Sequence, residues 1–201
     1  KTVILHDPSQ PVYLEGYHKG AETDPDQPVF DAIDDILSRG RTSRLYRDLV
    51  RDKKLAVAVQ SFSSFPGEEY PNLWGVFAVP AKGVTNQQIA DEIHKQLERL
   101  KSEPVSAEEL AKFKTRAKAD LVRSLDSNSG LANELASYQT IFGDWRELFR
   151  YIDRLDKVSA ADIQRVAKKT FVATNRTVGE IVTQSSADQG TASGTESGAA
   201  Q

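Results

Sequence analysis

Apolar residues recur along the chain with two different periods, and each period predicts a different kind of element. Runs of β-branched and aromatic residues, with partial alternation of apolar and polar positions in the first run, predict strands over residues 11–19, 55–65, 72–80 and 175–183. Apolar residues spaced three and four apart predict helices over residues 28–38, 43–50, 85–101, 106–125, 131–142, 145–155 and 159–171. In the first strand, Val12, Leu14 and Gly16 fall on one face, and Tyr13, Glu15 and Tyr17 fall on the other.

Several helix boundaries are marked by residues that satisfy the free backbone groups at a helix end. Ser106 and Glu109 form a capping-box pattern, and Ser159 with Asp162 repeats it at a later helix. Thr85 is predicted to cap the helix that follows it. These marks predict where three of the helices begin.

The predicted elements follow the order β–α–α–β–β–α–α–α–α–α–β. Hairpin-paired strands and clustered helices indicate the α+β class, with an antiparallel sheet and helices packed on one face. A doubly wound parallel sheet needs regular alternation of strand and helix, which this order lacks. Residues 1–183 are predicted to form one domain. Residues 184–201 carry too little apolar surface to fold, so they are predicted to be a disordered tail rich in Ala, Gly, Ser and Thr.

Composition excludes several classes of protein. The 201 residues carry a net charge of −3, which argues against nucleic-acid binding. No apolar run approaches the roughly 20 residues that span a bilayer. The chain has no cysteine, which excludes disulfides, thiol catalysis and zinc sites built from Cys. It also has no methionine and begins at Lys1, so we expect it to be a piece of a longer protein.

The sequence contains none of the common catalytic or metal-binding motifs. The histidines His6, His18 and His94 are far apart, and no H-x-x-E-H or H-E-x-x-H pattern joins them. Glycine-rich phosphate loops and a G-x-S-x-G nucleophile turn are also missing. We therefore predict no catalytic residue, no metal ligand and no cofactor in this fragment.

Two other features leave alternatives open. The basic stretch of residues 39–54 suits a phosphate or an acidic peptide, but Asp48 and Asp52 within it favour a solvated helix face. Trp74 lies in a predicted strand beside Gly75. It is either a core aromatic or a platform in a peptide groove, where Gly75 lets another backbone approach closely.

Three collinear segments resemble pitrilysin-type zinc peptidases, the M16 family of mitochondrial processing peptidase and insulin-degrading enzyme. LSRGRTSRLYRDLVRDKKLAVAV is similar to the family's glycine turn, its S-R-L-[YF] and its G-L-A-Y-x-V. The matching residues are Gly40, Ser43, Arg44, Leu45, Tyr46, Leu55, Ala56 and Val59. VSAEEL and VSAADIQRVA resemble the family's V-S-x-E-E-L and V-T-x-x-D-V-x-x-V-A. The resemblance covers residues 11–183.

The resemblance implies a domain that assists a peptidase without holding its metal. Family members carry similar α+β domains in tandem, and the first domain of a catalytic chain holds zinc through H-x-x-E-H. This chain resembles the domain that follows, so zinc is expected in an N-terminal domain of the parent protein. The implied function is to wall the cleft and to position peptide for hydrolysis. The implied partners are a peptide or unfolded protein substrate, the zinc-bearing domain and a homologous partner subunit, with no nucleic acid and no membrane span.

The sequence departs from the family pattern at positions that bear on substrate contact. Lys54 and Val57 replace the glycine and the tyrosine of G-L-A-Y. Many members carry an Arg and a Tyr that bind the substrate backbone, and Trp74 and Thr85 stand near those places here. That pair is therefore expected from a partner chain, or is lost in an inactive paralogue.

Arg44 and Tyr46 of the S-R-L-Y match, together with Trp74, are the residues predicted to face substrate. The parent protein is expected to be a zinc-dependent metalloendopeptidase, and this fragment alone is expected to be inactive. The alternatives are a proteolytically inactive scaffold or assembly subunit of the same fold, and an unrelated peptide-binding module. The lack of cysteine and the small residues of the tail favour the bacterial periplasm or secretion, with the cytoplasm left open.

Overall fold

The computed structural model of the chain describes residues 1–184. Its strands are β1 (Thr2–Asp7), β2 (Val12–Lys19), β3 (Ala56–Phe65), β4 (Asn72–Pro80) and β5 (Arg176–Thr183). Its α-helices are α1 (Gln27–Ser38), α2 (Asn86–Ser102), α3 (Ala107–Ser124), α4 (Asn128–Phe142), α5 (Glu147–Lys157) and α6 (Ala160–Thr170). A π-helical segment spans Tyr46–Asp52, and a short 3₁₀ turn spans Ala173–Asn175. The disordered tail predicted for residues 184–201 lies outside the described residues, apart from Gln184.

The strands form one sheet in the order β1-β5-β2-β4-β3. Neighbours pair antiparallel except at one edge, where β1 runs parallel to β5. The predicted antiparallel sheet is confirmed for β2, β3, β4 and β5, and β1 adds one parallel pair at the edge. After the last helix the chain forms β5, which lies between β1 and β2. β1 and β2 run in opposite directions. A strand in that position must be antiparallel to one neighbour and parallel to the other.

The two faces of the sheet differ in what covers them. We call the face that packs on the helices the inner face; it carries Tyr13, Glu15, Tyr17, Trp74, Val76, Ala78, Val59, Ser61 and Val178. We call the opposite face the open face; its residues have no helix against them within residues 1–184. Helices α1, α2 and α6 contact strands of the sheet. Helices α3, α4 and α5 pack against one another, and α3 and α5 also pack against α1. The prediction of helices on one face is confirmed.

The marked helix starts are confirmed as capping boxes. Thr85, Ser106 and Ser159 each accept a hydrogen bond from the backbone N–H three residues later, and the side chain of that later residue accepts one in return. Gly40 follows the end of α1 with a φ of 78°, a left-handed conformation that costs glycine little. None of the helices within residues 1–184 is long and apolar enough to cross a membrane.

Three elements differ from the sequence prediction. β1, with the sequence TVILHD, was not predicted. The short helix predicted from Ser43 is a π-helical segment that begins at Tyr46. Helix α4 begins at Asn128, three residues earlier than predicted, because the Ser127 hydroxyl accepts a hydrogen bond from the Gly130 N–H and caps it.

An ion pair ties the start of α3 to the segment that precedes the π-helical residues. Arg44 donates two parallel hydrogen bonds to Glu109, from Nε at 2.7 Å and from Nη2 at 2.8 Å. Glu109 also accepts a hydrogen bond from the Ser106 backbone N–H at 2.9 Å. These hydrogen bonds, led by the one from Arg44, lower the pKa of Glu109 from 4.5 to about 2.

We predict that Glu109→Gln removes a part of the stability that depends on pH. A carboxylate with a lowered pKa stabilises the fold above its unfolded pKa, and this contribution is lost as pH falls from about 4.5 towards 2. At pH 7 the variant should lose about 1–2 kcal/mol of unfolding free energy, since solvent screens part of the ion pair. Urea unfolding of both proteins between pH 7 and pH 2 measures the difference, which should shrink towards zero at the acid end.

Glu108→Gln is the matched control, because it removes the same charge from the first turn of α3 without removing a contact to Arg44. It should change the unfolding free energy by only a few tenths of a kcal/mol. Equal losses for the two variants at pH 7, or a Glu109→Gln difference that stays constant down to pH 2, would contradict this role of Glu109.

Candidate functional site

The described residues do not fit a zinc ion. His6 lies on β1, His18 on β2 and His94 on α2, and no three His, Asp or Glu side chains within residues 1–184 are placed to hold a metal. A catalytic zinc site needs three protein ligands around one ion. No catalytic step is therefore assigned to a metal in this part of the chain.

The most deeply buried charge of the sheet is the carboxylate of Glu15, which is 0% exposed on the inner face. It accepts hydrogen bonds from the hydroxyls of Tyr13 and Tyr17, its neighbours along β2. His94 of α2 places Nε2 at 2.8 Å from the same carboxylate, and Arg176 of β5 places Nη1 at 2.7 Å from that nitrogen. This group, which we call the Glu15 network, joins β2, β5 and α2.

The Glu15 network has a structural explanation. Burial alone would raise the pKa of Glu15, but the hydrogen bonds from His94, Tyr13 and Tyr17 outweigh it and hold the pKa below its usual value. A buried carboxylate with several donors is stable as an anion and has little tendency to exchange protons. The network therefore holds α2 on the sheet and offers no base or nucleophile to a substrate.

A second acidic group lines a cavity of about 360 Å³ between α1, α3, α4 and α5. Burial raises the pKa of Asp34 to about 6, and burial also raises the pKa of Asp31 despite hydrogen bonds from Tyr151 and Ser63. Both carboxylates already have hydroxyl donors from the protein. The cavity has a mixed apolar and acidic lining, and the carboxylates of Asp31 and Asp34 already have hydrogen-bond donors from this chain.

The three residues predicted to face substrate lie in very different places. Trp74 is 0% exposed and packs against Phe171 at 4.7 Å between ring centroids and against Tyr17 at 6.2 Å. Arg44 is engaged by Glu109, as described above, and Tyr46 is half-buried at the start of the π-helical segment. The burial of Trp74 favours the core aromatic, one of the two interpretations that the sequence left open. The substrate-facing role of the three side chains stays a prediction.

The open face presents a broad apolar surface that the sequence analysis missed. Cross-strand pairs place the following residues together on it: Val3, Leu5, Val12, Leu14, Gly16, His18, Thr177, Gly179, Ile181, Leu73, Gly75, Phe77, Gln60 and Phe62. Val3 is 53% exposed, Leu5 57% and Leu14 39%. An antiparallel sheet in contact with water on one face normally shows polar residues there. This sheet instead shows mostly aliphatic and aromatic residues there, with His18, Gln60 and Thr177 as exposed polar positions.

Charges are almost absent from the open face. Within the strands that the structure describes, its one Asp, Glu, Lys or Arg is Asp7, which pairs with Thr183 at a corner of the sheet. By contrast, Glu15, Lys19, Arg176 and Glu180 alternate onto the inner face. In the sequence, Val12, Leu14 and Gly16 already fall on one face of the first strand. Alternation alone does not tell whether the helices cover that face or the opposite one.

Comparison with known proteins places these features in a family. The sequence profile of the family described as the peptidase M16 inactive domain matches residues 1–117. The chain is 30% identical over 181 residues to the zinc protease PqqE of Helicobacter pylori, which covers 88% of this chain. The chain spans only 40% of the length of that relative.

Solved structures agree with this relationship. The crystal structure of a protease from Helicobacter pylori superposes with a TM-score of 0.83 at 27% identity, over 90% of this chain and 44% of the other. The inactive peptidase domain of a zinc protease homologue from Bordetella parapertussis superposes with a TM-score of 0.75 at 29% identity, over 85% of this chain and 89% of the other. Together with the profile match, these likenesses show that the chain belongs to the M16 peptidase family, as its inactive domain.

Proposed function

We propose that this chain is the non-catalytic domain that walls a peptide cleft and positions peptide for hydrolysis by a zinc-bearing domain outside this chain. The observation that carries the proposal is the open face, which is apolar, nearly free of charge and uncovered within residues 1–184. An exposed apolar surface of this breadth marks an interaction site in a soluble protein. The length of the Helicobacter pylori relative supports a second domain, since this chain spans 40% of it.

The open face has two physical effects on a bound peptide. It removes water from the peptide backbone and side chains, which strengthens every polar interaction made elsewhere in the cleft. It also restricts the peptide to conformations that lie along the sheet, which lowers the entropy lost when the reacting carbonyl is positioned. Neither effect needs an acid, a base or a metal ligand from this chain.

The edges of the sheet offer a second kind of contact. β1 and β3 are the edge strands, and each has a neighbour on one side only within the described residues. An extended peptide that pairs with a strand edge gains backbone hydrogen bonds that do not depend on its sequence. We infer that capture of peptide or unfolded protein combines such backbone pairing with contacts to the open face. The partners in this account are the zinc-bearing domain and a homologous subunit.

We predict that the chain alone does not hydrolyse peptides. Purified chain with added zinc should cleave a mixed library of unstructured peptides no faster than buffer, because the described residues do not form a metal site. Mass spectrometry of the library after overnight incubation measures cleavage. Turnover that requires the chain and disappears on addition of a chelator would overturn the division of labour between the two domains.

We predict that a charge on the open face lowers peptide cleavage by the full-length protein that contains these residues. Leu14→Lys and Val3→Lys should each reduce kcat/KM roughly tenfold, because a desolvated ammonium group opposes an apolar contact. Val122→Lys is the matched control, since Val122 is 68% exposed on α3 within the helix layer. It should leave kcat/KM within twofold.

Thermal unfolding of the same variants separates a folding defect from a binding defect. Val3 lies on an edge strand, so its variant tests the face even if Leu14→Lys lowers the melting temperature. Unchanged cleavage by the folded Val3→Lys and Leu14→Lys proteins would show that peptide does not depend on the open face. Failure of the full-length protein to cleave any peptide would favour the scaffold alternative.

A further inference from the structure

The open face contains a depression at Gly179, in the middle of β5. Gly179 pairs directly with Leu14 of β2 on one side and with Val3 of β1 on the other. A Cβ atom built on Gly179 would meet no other atom within 4 Å, and the backbone there is not left-handed. The missing side chain therefore leaves an open space that an ordinary L-residue could enter without strain.

The walls of this depression are uncharged and, at Leu14, Val3 and Thr177, exposed. Leu14 and Val3 stand on either side, and Thr177 and Ile181 precede and follow along the same face of β5. Neighbouring strands lie about 4.8 Å apart, so the flanking strands β2 and β1 are roughly 10 Å from each other. A gap of that width between two exposed aliphatic residues accepts one side chain of the size of leucine.

The other glycines of the open face do not leave such a space. A Cβ on Gly75 would lie 2.3 Å from the ring of Phe62, which already covers it. A Cβ on Gly16 would lie 3.3 Å from Leu73 Cδ1. Among the open-face glycines that the structure describes, Gly179 is the one whose place is empty.

We propose that the depression over Gly179 receives an uncharged, apolar side chain of the peptide substrate, and that Gly179 determines this preference. The inference rests on the proposed function, in which peptide lies against the open face. No Asp, Glu, Lys or Arg flanks Gly179 among its paired and same-face strand neighbours. A charged peptide side chain placed there would lose its water without gaining a partner, whereas an aliphatic one gains by burial.

Gly179→Val in the full-length protein tests the proposal directly, since the valine side chain would fill the depression itself. The substrates are sets of three peptides that differ at a single position, which carries Leu, Ala or Lys. One set is made for every position of the peptide, and kcat/KM is measured for every peptide. The unaltered protein should prefer Leu to Ala at one position by roughly tenfold. Gly179→Val should abolish that preference, because it lowers kcat/KM for the Leu peptide to the level of the Ala peptide.

Gly67→Val is the matched control, because a Cβ on Gly67 also meets no atom within 4 Å but lies in the loop between β3 and β4. It should keep the Leu preference, and thermal unfolding of both variants verifies that they fold. A preference that survives Gly179→Val, or an equal loss for all three peptides, would overturn the role of Gly179. If Val3→Lys nevertheless lowers cleavage, the proposed contact of peptide with the open face stands without the Gly179 preference. If Val3→Lys has no effect either, both the contact with the open face and the role of Gly179 are wrong.

Discussion

The fold depends on the contact between the helices and the inner face of the sheet. Glu15, Lys19, Arg176 and Glu180 of the strands lie on this inner face. Glu15 is completely buried there and is held by two tyrosine hydroxyls and by His94 of α2, which Arg176 of β5 also contacts. A buried carboxylate is costly unless donors surround it, so these partners must keep one arrangement. That arrangement fixes β2, β5 and α2 relative to one another. Because the charges of these strands alternate onto the inner face, the open face of β2 and β5 carries aliphatic, glycine and uncharged polar residues together with His18.

The helix layer is fixed by local interactions that leave the sheet undisturbed. Three capping boxes define where α2, α3 and α6 begin. The ion pair between Arg44 and Glu109 then ties α3 to the segment after α1. The layer covers one face only, so the open face remains a wall that a peptide or another domain can contact. This division of the sheet leaves one apolar face exposed in an M16 inactive domain whose described residues form no metal site.

The sequence predicts local structure better than it predicts which surface is functional. Capping boxes were readable because the residues that form them lie three positions apart. β1 was missed because it is a short strand whose parallel partners in β5 lie 176 positions away, as in the pair of Thr2 with Val178. Tyr13, Glu15 and Tyr17 look like a polar, water-facing set, yet they are the buried one. Only the packing of α2 against them shows that Leu14 and Gly179 face outward.

Photo-crosslinking shows whether a bound peptide lies on the open face. A photo-reactive amino acid is placed at position 14 or at position 122 of the full-length protein, and each protein is irradiated with an unstructured peptide that is cleaved slowly. The account predicts that the peptide is cross-linked from position 14 on the open face and not from position 122 on α3. Equal labelling from both positions, or labelling from position 122 alone, would contradict it.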